Sequence, residues 1–265
     1  MESKDKEKHI IYCNCGGERI PSAVKRSVET ILHNGRVNYT QVADLCGISA
    51  LRKDLVPGIF HRDTDYMVIG CYKRTMDLLF RQAVKSPQMP EISVHINLIE
   101  QSADETAKKI AVFCGNSQGP SETHQITEDS GWPSWYPVID HARCTQCGQC
   151  SDFCLFGVYE RSDGQVKVIN PRGCKNNCPA CARICPSTAI IFPKYAHGGA
   201  IGGSDEIDEK AEQQRQARDI ENILGDDLYE ALERRKVKRK SIVREEIMLK
   251  AMAERDQALG ISTKS

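Results

Sequence analysis

The sequence predicts an α/β amino-terminal domain with a small parallel sheet, followed by a cysteine-rich domain of short strands and a helical carboxyl-terminal tail. Strand-like runs alternate with helical patterns in the amino-terminal part, which is typical of a parallel sheet. Thirteen cysteines are present, and eight of them fall in two dense runs. At 265 residues, the chain is long enough for about two small domains.

The elements of the amino-terminal domain are predicted from hydrophobic periodicity and helix-boundary residues. The predicted strands are 8–12, 36–45, 65–70 and 92–99, and the predicted helices are 22–32 and 73–84. Ser102 and Glu105 form a possible capping box for a further helix that ends at Gly115. A strand over 109–114 is the alternative for that last segment.

Four cysteines follow the predicted strands of this domain. Cys13 and Cys15 come after the first strand, Cys46 after the second and Cys71 after the third. Because the carboxyl ends of parallel strands lie at one edge of a sheet, where open α/β folds bind their ligands, we expect these thiols to converge. Cys114 lies outside this set and is expected to be an ordinary buried thiol.

The two dense cysteine runs have the spacing of iron–sulfur ligands. Cys144, Cys147, Cys150 and Cys154 are separated by two, two and three residues, which matches the bacterial ferredoxin run. The second run contains Cys174, Cys178, Cys181 and Cys185 and opens with a gap of three residues instead of two. The segments after Cys154 and Cys185 resemble each other, and Asp163-Gly164 predicts a hairpin turn between the two runs.

On these motifs, residues 138–195 resemble a two-[4Fe-4S] bacterial-type ferredoxin domain, which has an α+β fold. The resemblance implies that the last cysteine of each run ligates the other cluster. One cluster would then be held by Cys144, Cys147, Cys150 and Cys185, and the other by Cys154, Cys174, Cys178 and Cys181. Leu155 stands where the family has proline. Structural zinc is the alternative for these thiols.

The segment 9–101 resembles the amino-terminal domain of the A subunit of heterodisulfide reductase. The resemblance rests on CNCGG at 13–17, Cys46 in DLCG, VIGCYKRTMDLLF at 68–80 and HINLIEQ at 95–101. It implies a third [4Fe-4S] cluster on Cys13, Cys15, Cys46 and Cys71. Zinc, or thiol or persulfide chemistry at Cys13 and Cys15, are the alternatives. No Gly-rich dinucleotide loop follows a predicted strand, so we expect no flavin.

The predicted domain boundaries are 1–101, 102–137, 138–195 and 196–265. Residues 116–131 are polar and predict a linker, which ends in WPSWYP at 132–137. That aromatic segment is either a hydrophobic strap on the next domain or a partner-docking patch. A Gly-rich stretch from His197 predicts a flexible hinge. Helical patterns follow around 220–231 and 242–252, and these either pack back on the body or dock on a partner subunit.

Composition narrows the possible functions. Lys plus Arg number 36 and Asp plus Glu number 36, so the formal net charge is zero. The overall charge therefore does not favour binding to nucleic acid or to an anionic membrane. We find no signal peptide or apolar run of spanning length, and we expect a cytoplasmic protein whose cysteines serve metal or thiol chemistry rather than a disulfide framework. The sequence predicts an electron-transfer protein that is not an enzyme by itself. We expect its redox partner proteins to belong to a larger oxidoreductase complex related to heterodisulfide reductase. Alternatives are a subunit with thiol or persulfide chemistry and a zinc-stabilised interaction protein.

Overall fold

The computed structural model describes residues 6–16, 19–35, 37–84, 89–115, 122–127 and 132–224. Residues Met1–Glu212 form one compact unit, and Gln213–Ser265 form a second. All thirteen cysteines lie in the first unit. Within the described ranges, no helix combines the length and the apolar character that crossing a membrane requires.

The amino-terminal part is built on a five-stranded sheet whose neighbouring strands all run parallel. Its strands are β1 (Glu7–Cys13), β2 (Tyr39–Val42), β3 (Thr64–Gly70), β4 (Ile92–Asn97) and β5 (Thr123–Ile126). They are ordered β4-β3-β1-β2-β5, so β1 lies in the centre with β2 and β3 on either side. The predicted parallel sheet is confirmed.

Four helices accompany this sheet: α1 (Ser22–Asn34), α2 (Leu45–Leu51), α3 (Lys73–Ala83) and α4 (Ala103–Cys114). Helix α2 begins where the second strand was predicted to continue, so β2 is shorter than expected. Helix α4 has the predicted capping box, in which Glu105 N–H donates to Ser102 Oγ at 3.3 Å and Ser102 N–H donates to the Glu105 carboxylate at 2.9 Å. The helical alternative is therefore correct for 109–114.

The predicted linker over 116–131 contains strand β5, which corrects that prediction. Residues Tyr39 and Val42 of β2 pair in parallel register with Thr123 and Ile126. Three of the four β5 residues are exposed, so the strand has no buried face to produce alternating hydrophobicity. Backbone pairing at the sheet edge forms this strand, and a sequence pattern based on burial misses it.

Residues 138–195, here called the eight-cysteine region, contain two small antiparallel ladders, two short α-helices and one 3-10 turn at Pro171–Gly173. The elements are β6 (Val138–Ile139), α5 (Gln149–Phe153), β7 (Tyr159–Ser162), β8 (Gln165–Val168), α6 (Ala180–Arg183) and β9 (Ile190–Ile191). Strand β6 pairs with β9, and β7 pairs with β8. Asp163 and Gly164 have φ angles of 52° and 72°, which confirms the predicted hairpin turn.

The aromatic segment 132–137 joins the cores of the two parts. Trp135 is buried and stacks on Phe192 with ring centroids 5.0 Å apart, inside the core of the eight-cysteine region. The next residue, Tyr136, is buried in the sheet core and donates its hydroxyl to the Cys46 carbonyl at 2.9 Å. Of the two alternatives for this segment, the hydrophobic strap is therefore the correct one.

The Gly-rich stretch from His197 is packed, which corrects the prediction of a flexible hinge. Ala200 and Ile201 are each only 4% exposed. The Ile201 carbonyl accepts from Phe192 N–H at 2.7 Å, and Thr75 of α3 donates to the Gly203 carbonyl at 3.2 Å. Glycine supplies a positive φ of 65° at Gly198 and tight turning, which brings this segment against α3. Helix α7 (Glu209–Leu224) follows, and the predicted helix at 242–252 lies outside the described residues.

Candidate metal centres

Sheet topology brings the four amino-terminal cysteines to one edge. Cys13 ends the central strand β1, and its register partner on β2 is Val42, just before the loop that leads to Cys46 in α2. Cys71 follows β3 on the other side of β1. A Cβ on Gly70 would lie 3.4 Å from the Cys13 Cβ, so the ends of β1 and β3 are in close contact.

These four thiols are electrostatic neighbours in a largely buried region at this sheet edge, here called their pocket. Cys13, Cys15 and Cys46 are 5–6% exposed, and Cys71 is half-buried. Burial, followed by the neighbouring Cys15 and Asp44, raises the pKa of Cys13 to about 12. Burial also raises the pKa of Cys71, with Cys13 and Cys15 as its next largest influences. Burial thus raises the pKa of Cys13, Cys46 and Cys71 and favours their neutral forms.

A buried ion pair closes the same pocket from the eight-cysteine side. Lys194, which follows β9, places its ammonium 2.8 Å from the Asp44 carboxylate and 3.8 Å from Cys15 Sγ. Ser134 donates to the other Asp44 oxygen at 2.5 Å. Burial lowers the pKa of Lys194, but Cys46, Cys15 and Asp44 raise it, and the net effect is a raised pKa. Sequence reasoning missed this ion pair, because Lys194 and Ser134 are distant in sequence from Asp44.

The loop around Cys15 is held by specific contacts. Cys15 has a φ of 50°, a left-handed conformation that is uncommon outside glycine. Its carbonyl accepts from Lys25 Nζ of α1 at 2.7 Å. Gly16 sits against Asp44, since a Cβ there would lie 3.2 Å from the Asp44 Cβ. The glycine after the CNC motif therefore allows the loop to pass close to the ion pair.

The first predicted ligand set of the eight-cysteine region lies together. Cys144, Cys147, Cys150 and Cys185 line one cavity between β6, α5 and the start of β9. Burial raises the pKa of Cys150 to about 11, and its influential charged neighbours are the other three thiols of the set. Ala189 N–H donates to Cys185 Sγ at 3.3 Å, the kind of hydrogen bond that tunes a cluster's potential.

The second predicted set is adjacent to the first. Burial raises the pKa of Cys174 to about 12, with Cys178 and Cys154 as its charged neighbours. Burial raises the pKa of Cys181 to about 12 as well, with Cys174, Cys150 and Cys154 contributing to that rise. Cys150 of the first set thus influences the pKa of Cys181, so the two sets are near neighbours within a common core.

Backbone conformations repeat between the two cysteine runs. Gln146 and Asn177, each just before the second cysteine of its run, have φ angles of 57° and 58°. Gly157 and Thr188, three residues after the last cysteine of each run, have φ angles of 62° and 50°. The extra residue of the second run therefore lies before Asn177, and the equivalent turns resume from that point.

Among the described residues, no three His, Cys, Asp or Glu side chains are grouped closely enough to hold a single metal ion. The donor set of each pocket is nonetheless four thiols, and thiolate donors select iron–sulfur clusters, zinc or Cu(I). Each set of four matches the one thiolate per iron that a [4Fe-4S] cluster needs. The residues present therefore fit such a cluster in chemistry and number.

One stretch of this chain is similar to a known protein. Over 61 residues, the chain is 49% identical to a protein of Methanocaldococcus jannaschii described as an uncharacterized ferredoxin. The matched stretch covers 23% of this chain and 42% of that relative, so the chain spans less than half of the relative's length. No protein-family model matches the chain.

Proposed function

We propose that this chain is an iron–sulfur protein that carries low-potential electrons, and that it acts as a ferredoxin-like subunit of a larger oxidoreductase complex. The observation that carries the proposal is that twelve cysteines, which we group as three sets of four, all lie within one compact unit. Similarity to a ferredoxin over 61 residues supports the iron–sulfur and electron-transfer role.

Two [4Fe-4S] clusters are assigned to the eight-cysteine region, which we propose is a dicluster ferredoxin domain. Its first cluster is assigned to Cys144, Cys147, Cys150 and Cys185, and its second to Cys154, Cys174, Cys178 and Cys181. The electrostatic neighbours of Cys150 and Cys174 support this division, because the pKa of each is raised by thiols of its own set. A [4Fe-4S] cluster held by four cysteines supplies a one-electron carrier, whose potential depends on the hydrogen bonds to its sulfurs and on its solvent exposure.

A third [4Fe-4S] cluster is assigned to Cys13, Cys15, Cys46 and Cys71. The buried ion pair and the 132–137 strap connect this pocket with the eight-cysteine region through direct contacts. Partly buried Cys174 also packs against the sheet core that contains Cys13 and Cys46. These contacts support electron relay within the chain between the third centre and the other two.

The resemblance of residues 9–101 to the A subunit of heterodisulfide reductase supports a partner complex related to that enzyme. Exposed apolar side chains close to Cys154 and Cys174 in sequence support contact with a protein partner. Leu155 is 85% exposed and Ile169 is 56% exposed, with Phe153 and Phe156 each at 45%. Arg172 and Lys175 are exposed on the neighbouring loop. We propose that a redox protein with an acidic rim contacts this surface.

Thiol or persulfide chemistry at Cys13 and Cys15 is the less favoured alternative. Reactive cysteines are partly exposed and have lowered pKa values. Cys13 and Cys15 are 5% and 6% exposed, and the pKa of Cys13 is raised. Buried four-thiol pockets of this kind are better suited to holding a metal centre than to meeting a substrate.

The test is a count of iron, acid-labile sulfide and zinc in anaerobically purified protein. We expect about 12 irons per chain, at four per cluster. In the Cys46→Ser variant we expect about 8, with the two remaining clusters unchanged by electron paramagnetic resonance. Cys114→Ser is the matched control and should retain the full iron content.

Other outcomes of the count would contradict specific parts of the proposal. About 8 irons in the unmodified chain, at four per cluster, would contradict the third centre and leave the ferredoxin domain. Zinc in place of iron would contradict the electron-transfer function as a whole.

A further inference from the structure

Lys194 is a cation that the chain places inside the pocket of the amino-terminal thiols. Its side chain is 8% exposed, and that of its partner Asp44 is 11% exposed. The Lys194 ammonium lies 3.8 Å from Cys15 Sγ. Lys194 is 179 residues away from Cys15 in sequence, so the fold of the eight-cysteine region is what delivers this charge.

Contacts from both parts of the unit hold Lys194 in position. Its neighbour Pro193 accepts from Arg19 at 2.9 Å, and Arg19 also donates to the Gly202 carbonyl at 3.0 Å. Asp44 is fixed on its other side by Ser134 at 2.5 Å. The ammonium is therefore preorganised beside Cys15 Sγ, whereas Lys25 Nζ donates to the carbonyl of the same residue.

We propose that Lys194 is a positioning residue that sets the reduction potential of the amino-terminal centre by supplying a fixed positive charge beside Cys15. This inference rests on the proposed third cluster. Through it, the eight-cysteine region controls the electronic properties of the neighbouring centre as well as covering its pocket.

The sign of the effect follows from the charge that reduction adds. Taking up one electron makes the centre and its four thiolates more negative by one charge, and a nearby buried cation stabilises that state. Lys194 therefore raises the potential of the centre. Asp44, whose charge acts on both Cys13 and Cys46, opposes reduction and lowers that potential.

The test is a redox titration of the three centres, followed by electron paramagnetic resonance, in the intact anaerobic protein. In Lys194→Gln, we expect the equilibrium constant for reducing the amino-terminal centre to fall at least tenfold, which is 59 mV for one electron. Asp44→Asn should shift the potential in the opposite direction. Lys194→Arg, which keeps the charge, should restore most of the original potential. Lys53→Gln, an exposed lysine, is the control and should shift nothing.

A purely structural role for the ion pair predicts a different result. Loss of either partner would then disturb the pocket alike, so a shift in the same direction for Lys194→Gln and Asp44→Asn would overturn the inference. An unchanged potential in Lys194→Gln with full iron content would also overturn it. Iron content of the unmodified protein separates these outcomes from failure of the proposed function, because about 8 irons, at four per cluster, would mean that the third centre does not exist.

Discussion

Replacing Arg74 with methionine removes the guanidinium that ties α3 to the eight-cysteine region. Arg74 Nε and Nη2 each lie 3.3 Å from one oxygen of Asp140, and the two side chains are both 12% exposed. The guanidinium also donates to the Ala200 carbonyl at 3.2 Å and to the Thr188 carbonyl at 3.3 Å. One side chain therefore contacts three separate segments.

The expected loss follows from what the substitution leaves behind. Asp140 keeps a buried carboxylate without its cation, and breaking one side of a buried pair costs about 3–5 kcal/mol. Because m is about 2 kcal/mol/M in urea for a protein of modest size, the unfolding midpoint should fall by about 1.5–2.5 M. Lys73→Met on the same helix is the control. Lys73 is 54% exposed in its pair with Asp77, and an exposed pair contributes about 0–1 kcal/mol.

The assay is anaerobic urea unfolding followed by far-UV circular dichroism, with iron content measured for each variant. Arg74→Met should unfold at much lower urea than Lys73→Met. A second variant, Asp140→Leu combined with Arg74→Met, removes both charges and should recover part of the loss. Equal midpoints for Arg74→Met and Lys73→Met would refute the view that this ion pair joins the two parts.

Two further outcomes are expected. Leu155→Glu should slow electron exchange at least tenfold with an oxidoreductase that co-purifies with the chain. Val112→Glu, at an equally exposed apolar position, is the control and should leave the rate unchanged. Equal rates in the two variants would exclude the surface beside Cys154 as the contact. Burial, followed by His61, lowers the pKa of His9 from 6.5 to about 4. His9 is thus neutral in the folded protein. Its contribution to the free energy of unfolding is fully present above pH 6.5 and declines as the pH falls towards 4. The urea midpoint should fall more steeply from pH 7 to pH 5 than in His9→Gln, and parallel curves would show that His9 does not contribute.

Local patterns predicted much of the amino-terminal part. Strands β1, β3 and β4 and helices α1, α3 and α4 all carry a buried face or a boundary residue that is visible in the sequence. The capping box at Ser102 and the turn at Asp163-Gly164 are equally local, since each depends on residues within a few positions. Strand β5 left no such signal, because its formation depends on pairing with β2 rather than on its own side chains.

Packing of the Gly-rich stretch shows a second limit of local reasoning. Glycine clusters are typical of flexible linkers, but the same residues also permit the tight turns that close contact requires. Which of the two occurs depends on whether a surface is available. Here α3 provides that surface, through Thr75 and Arg74.

By itself, the sequence predicted a set of metal-binding cysteines for this protein, because ligand spacing and strand-end positions are properties of short segments. It could not reveal that Lys194 and Asp44 meet beside Cys15, or that Tyr136 reaches the Cys46 carbonyl. Those contacts join segments that are 90 to 179 residues apart, and only the packing of the sheet against the eight-cysteine region creates them. Tertiary structure therefore decided the electrostatic surroundings of the thiols, since charge and burial depend on distance in space rather than along the chain.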